Sequence, residues 1–170
     1  MRDIMSKMTV EEKQLVLNNK VKAGKLQVFI PELFETVVEF GSRNDKIETL
    51  RNNASKALFN LLFLTFTDVE WVVDPKEASK IKFEDLDIND YTMAASTLMK
   101  EHLRFKHLVR LGNNNITKEK ASILISQMYS SMYEKDVEVM RGMFLGKIPY
   151  KGITEKLIRE AFPNLLPQVK

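Results

Sequence analysis

The chain has no cysteine, and that single absence excludes disulfides, thiolate metal sites and a catalytic thiol. Only two histidines remain to anchor a transition metal, His102 and His107. Five residues apart, they stand about 140° from each other around a helix and cannot share an ion as an i, i+4 pair would. Glycine is scarce, at 6 of 170 residues, and none of the six falls in a Gly-x-Ser-x-Gly elbow, a P-loop or a dinucleotide-binding pattern. Long apolar runs are missing too. The longest, residues 57–66, is interrupted by Asn60 and Thr65 and falls well short of the roughly 20 residues that span a bilayer. Behind Met1-Arg2-Asp3-Ile4-Met5-Ser6-Lys7 there is no apolar signal core. These absences lead us to expect a soluble, unsecreted protein of a reducing cytoplasm, with no membrane association, no cofactor and no small-molecule substrate.

What is present is a chain with 44% hydrophobic residues and only 5 prolines, long enough for one sizeable core and too short for two ordinary domains. The net charge is +3 and the pI about 9.0, but the charge is unevenly spread. Residues 68–90 hold eight acids against three lysines, residues 100–120 six Lys or Arg against two acids, and residues 141–170 again six against two. Lysines and arginines on a phosphate surface release condensed counterions, so the two basic stretches suit a polyanion. Ordinary solvated helix faces would read the same way. The acidic stretch is what a polar loop contains, and it specifies no catalytic carboxylate pair. We therefore assign no catalytic residue and no metal ligand, and expect a protein that is not an enzyme.

Apolar residues recur at spacings of three and four almost throughout, whereas two-residue alternation never persists, so the expected class is all-α. We expect a single-domain bundle of about six to eight helices, with residues 1–29 as an N-terminal extension carrying one helix and residues 30–170 as the main domain. Thr9 and Glu12 form a capping-box pattern that opens the first helix, which fades near Gly24. Pro31 suits the first turn of a second helix that turns Leu33, Phe34, Val37 and Val38 inward and stops at Gly41-Ser42. A third helix is predicted over 45–53, and a fourth, apolar on nearly all sides, over 55–66. Residues 67–88 read as a connecting loop with short helical turns and an apolar island, Trp71-Val72-Val73. One long helix is then predicted over 90–111, with Tyr91, Ala95, Leu98, Phe105 and Val109 on one side and Lys100, Arg104 and His107 on another. Gly112 ends it. Further helices are predicted over 118–132, over 137–145 with Asp136 as cap, and from Thr154 to just before Pro163.

The most informative local stretch is Arg141-Gly142-Met143-Phe144-Leu145-Gly146-Lys147-Ile148-Pro149-Tyr150-Lys151-Gly152-Ile153-Thr154. It reads as helix, basic glycine-containing turn, helix. Thr154 is a good N-cap, and with Lys147, Lys151 and Gly152 nearby a phosphate oxygen could sit there, although Glu155 opposes that charge. A well-capped helical hairpin with solvated lysines fits the same residues.

Asp136-Val137-Glu138-Val139-Met140-Arg141, the basic turn after it, and Ala161-Phe162-Pro163-Asn164-Leu165-Leu166-Pro167 resemble the end of the N-terminal DNA-binding domain of T-even-type phage DNA ligases. Residues 33–67, with a Phe-Gly-Ser break at 40–42, resemble that domain's opening helices. The whole chain also looks like a family of tailed-phage proteins that share the Pro-Tyr-Lys-Gly-Ile-Thr turn and the Ala-Phe-Pro ending. The likeness covers about residues 30–167. It implies an all-helical domain that clamps duplex DNA through its backbone and minor groove, in the cytoplasm of an infected bacterium, during replication, repair or recombination. It implies no sealing, because the ligase core needs a Lys-x-Asp-Gly motif and this chain has no Asp-Gly pair. Gly152 and Thr154 match a glycine and a hydroxyl residue of the ligase turn. Lys147 and Lys151 fall in the same turn, which is one residue longer here and contains Pro149. The implied DNA-binding set is Lys147, Lys151, Gly152, Thr154 and Lys156, with Lys100 and Arg104 as a second strip. No run of aromatics suited to stacking single strands is evident, which favours duplex. The alternative is a protein–protein interaction module on the same scaffold, binding a phage replication protein or inhibiting a host factor. It would act through Trp71-Val72-Val73 or the N-terminal extension.

Overall fold

The computed structural model describes residues 8–22, 28–84, 88, 91 and 93–168. Among them the regular structure is helical, and the sole β feature is an isolated antiparallel bridge between Trp71 and Val109. In chain order the helices are α1 (Val10–Lys22), α2 (Ile30–Val38), α3 (Arg43–Asn52), α4 (Lys56–Phe66), α5 (Pro75–Ser79) and α6 (Leu98–Glu101). A 3-10 helix (His102–His107), α7 (Lys118–Ser131), α8 (Glu134–Leu145) and α9 (Glu155–Ala161) complete them. None is long and apolar enough to cross a membrane. The chain divides into two compact units: Met1–Ser55 joined by Tyr150–Lys170, and Lys56–Pro149.

In the first unit, α1 opens with the reciprocal bonds of a capping box. Thr9 N–H donates to Glu12 Oε2 at 2.7 Å, and Glu12 N–H donates to Thr9 Oγ1 at 3.2 Å. Pro31 occupies the first turn of α2, where its missing N–H costs nothing, and Leu33, Phe34 and Val37 are buried while Val38 is half-buried. α3 starts two residues before the position predicted, because Ser42 is its cap and accepts from Asp45 N–H. α1, α2 and α9 all pack on α3. The core they share includes Phe34, Phe40, Leu50, Leu157 and Ile158. Lys13 is buried with its ammonium 3.4 Å from the centroid of the Phe40 ring. Burial pushes its pKa down, against the attraction of Glu39 and Asp45.

In the second unit α4 is the buried helix that its composition predicts. Leu58, Leu61 and Leu62 are all but inaccessible, and α4 packs on α8, on α6 and on the 3-10 helix. Two expectations fail in this unit. The long helix over 90–111 does not form, and Asp90 and Thr92 lie outside the described residues; α6 is a single turn, the 3-10 helix follows, and Val109 beyond it joins the isolated bridge to Trp71. The cause is non-local. Val72 N–H donates to the Leu108 carbonyl at 2.9 Å and Arg110 N–H to the Glu70 carbonyl at 2.8 Å, so segment 108–110 spends its backbone on a distant partner instead of a helix. The second failure concerns Asp136, which does not cap α8. That helix begins earlier, after Tyr133, and the buried Asp136 carboxylate accepts from Leu98 N–H and from Tyr91 Oη. It therefore caps α6, whose own N-cap Thr97 makes no side-chain cap bond. The Trp71-Val72-Val73 island is no exposed patch: both valines are buried and the Trp71 ring packs edge-on to Phe144 at 4.7 Å.

Candidate nucleic-acid interface

The basic stretch passes from one unit into the other, and each part is built within its own unit. On the side of the second unit, α8 ends at Gly146, whose φ of +74° is the left-handed conformation, with Lys147 N–H donating back to the Gly142 carbonyl at 3.0 Å. That six-to-one bond is a Schellman cap. It folds the chain so tightly against α8 that a Cβ on Gly142 would lie 2.5 Å from the Lys147 carbonyl oxygen and 3.0 Å from Pro149 Cδ. Ile148 is buried as an anchor, and Lys147 is left exposed.

On the side of the first unit, Ile153 N–H donates to the Tyr150 carbonyl at 3.1 Å to close a four-residue turn. Gly152 stands at its third position with φ +100°, a conformation that L side chains rarely adopt. Buried Ile153 holds the turn down, and the Tyr150 ring lies 5.7 Å from that of Phe34. Lys151 points to solvent. Thr154 caps α9 as predicted, its Oγ1 accepting from Leu157 N–H at 3.3 Å. One lone pair of the hydroxyl is thereby used by the cap, and its proton is what it can offer an anion.

Electrostatics around α9 follow a division of labour between the two kinds of cation. Glu155 receives Arg159, at 3.0 Å from Nη2. Glu160 receives Arg43 in a two-pronged pair, Nε at 2.7 Å and Nη2 at 2.9 Å. The Arg43 hydrogen bond, with added attraction from Arg43 and Lys156, holds the Glu160 carboxyl below its ordinary pKa. Arg51 donates to the Ala161 carbonyl at 2.7 Å and the Glu160 carbonyl at 2.9 Å, satisfying the C-terminal end of α9. Arg43, Arg51 and Arg159 are thus clamps, whereas Lys151 has no carboxylate partner among the described residues and Lys156 remains exposed.

The predicted residues fall in two separate units. Lys151, Gly152, Thr154 and Lys156 belong to the first unit, and Lys147, Lys100 and Arg104 to the second. Lys100 and Arg104 do not share a face of one long helix, because the helix changes to 3-10 winding between them. Lys100 is exposed, whereas Arg104 Nε lies 3.6 Å from Glu101 Oε2. Other cations of the 100–120 stretch are also employed internally: Arg110 donates to the Ile116 carbonyl at 2.8 Å, and Lys118 pairs with Glu77 at 2.8 Å. Lys46 was missed by sequence reasoning. It extends from α3 so that its Nζ comes within 3.4 Å of the place a Cβ would take on Gly152. No local signal marks it, since the contact joins positions more than a hundred residues apart.

His102 is buried, and its Nδ1 lies 2.8 Å from Asn60 Nδ2. An amide nitrogen can only donate, so Nδ1 accepts and the ring proton of the neutral imidazole sits on Nε2. Burial, with the nearby Lys56 charge, pushes its pKa down. Among the described residues no group of three or more His, Asp or Glu side chains could hold a metal ion. Compared with known proteins, the chain matches no family model, and no curated protein or solved structure shows significant similarity to it.

Proposed function

We propose that this protein is a non-catalytic accessory factor that binds duplex DNA through its phosphate backbone during phage replication, repair or recombination. The observation that carries the reading is the neutralisation of the acids on α9. Glu155 and Glu160 are both occupied by arginines, which leaves Lys151 of the same unit exposed without a carboxylate partner among the described residues. Exposed lysines of this kind attract a polyanion through its phosphates. The likeness of the turn and of the Ala161-Phe162-Pro163 ending to the DNA-binding domain of T-even-type phage ligases supports the same reading, as does the helical architecture. In the first unit Lys151 and Lys156, with Gly152 and Thr154 shaping the turn, make the contacts; in the second unit Lys147 makes its own, with Lys100 as a secondary one. Arg104 contributes less, because Glu101 already draws on its charge.

Fluorescence anisotropy with intact and nicked duplex at two salt concentrations tests this. Binding is expected to weaken steeply with salt and to be lost in the Lys147→Glu/Lys151→Glu variant. An absence of binding at low salt would refute the proposal and direct attention to a protein partner.

A further inference from the structure

We propose that Lys46, on a helix far away in sequence, is a phosphate-contacting residue of the same surface, forming with the Lys151-Gly152 turn a seat for one phosphodiester of the DNA backbone. The inference rests on the DNA-binding reading above and adds to it a residue and a geometry. α3 presents Arg43 and Lys46 three residues apart, on one face. Arg43 turns to Glu160 and closes a two-pronged pair. Lys46 forms no ion pair with the acids of α9, which Arg159 and Arg43 hold. It is half-buried, pairs with no carboxylate among the described residues, and brings its ammonium within 3.4 Å of the place a Cβ would take on Gly152.

Three features make that position a seat for an anion. Gly152 has no side chain, so its backbone is open to close approach just where Lys46 arrives. Lys151, the residue before it, is exposed and adds a second cation at the same turn. The nearest acids on α9, Glu155 and Glu160, are already engaged by Arg159 and Arg43, so the two ammonium groups meet no competing anion from that helix. An ammonium group at an open backbone, with a second lysine in the same turn and the acids of α9 engaged by arginines, suits a phosphodiester oxygen even with Asp45 and Glu48 on the same helix as Lys46.

The test is the salt dependence of duplex binding by the full chain for four proteins: the unaltered one, Lys46→Gln, Lys46→Arg, and Lys120→Gln. Lys120 is an exposed lysine of α7 in the other unit and serves as a control for loss of one positive charge. A lost phosphate contact removes about 0.9 from the slope of log K against log salt, equivalent to about eightfold in affinity near 0.1 M salt. Lys46→Gln is expected to show both changes, Lys46→Arg to recover the slope, and Lys120→Gln to match the unaltered protein. If the unaltered protein binds and Lys46→Gln is indistinguishable from Lys120→Gln, this inference fails while the broader reading stands. If the unaltered protein does not bind at all, both fall together.

Discussion

At the scale of single residues, His102 couples the fold to proton concentration. It is held neutral by burial, with Nδ1 occupied by the Asn60 amide. Its pKa in the folded chain lies below the ordinary value, so on acidification the unfolded chain takes up the proton first. The stabilisation is therefore complete above the unfolded pKa of about 6.5 and is lost as pH falls below it, by at most about 1.4 kcal/mol per pH unit. Melting temperatures between pH 7.5 and 5.5 should decline in the unaltered protein and decline less in His102→Gln. Equal slopes in the two would show that another group is responsible. The sequence could nominate His102 only as a failed metal ligand, because its partner Asn60 lies 42 residues away.

Among the elements, the features legible in advance were those decided within a few residues. The Thr9–Glu12 box, the Pro31 start of α2, the Thr154 cap and the buried α4 depend on local chemistry and appear where it dictates. The missing helix over 90–111 and the reassigned Asp136 are products of tertiary competition. An apolar periodicity of 3.6 is satisfied equally by a helix and by a kinked segment whose Leu98, Phe105, Leu108 and Val109 still reach the core. The deciding bonds come from Glu70, Val72 and Asp136, which periodicity does not see. Gly142 supplies the sharpest test at this scale. Its Cα hydrogen occupies the space against the Lys147 carbonyl and Pro149, so Gly142→Ala must push that segment off α8. The expected loss is about 1–3 kcal/mol in urea denaturation, together with weaker DNA binding through the displaced Lys147. Unchanged stability would mean that the turn accommodates the methyl group freely.

For the molecule as a whole, the important fact is the order of the chain. The second unit is one continuous segment, whereas the first is made from two segments that flank it. The second contains its own helix pair, α4 on α8, and its own buried side chains, Leu61, Ile125, Met128, Val139 and Met140 among them. Residues 56–149 expressed alone should therefore unfold cooperatively, and residues 1–55 alone should not, because without α9 the helix α3 loses one of its packing partners. Gradual, non-cooperative melting of the 56–149 fragment would contradict the division into units. The same chain order explains why the candidate surface was only partly readable: Lys151 and Lys156 declare themselves within one short stretch, and Lys46 does not.

Discontinuity also has a consequence during synthesis on the ribosome. Arg43 and its partner Glu160 are 117 positions apart. At about 5–20 residues per second, roughly 5–25 s pass between their emergence. Throughout that interval Leu33, Phe34 and Leu50 are already made while Leu157 and Ile158 are not, so the nascent first unit waits with part of its core uncovered. Translation speed and chaperone supply would then govern the yield of folded protein through this unit, while the continuous one completes itself in passing.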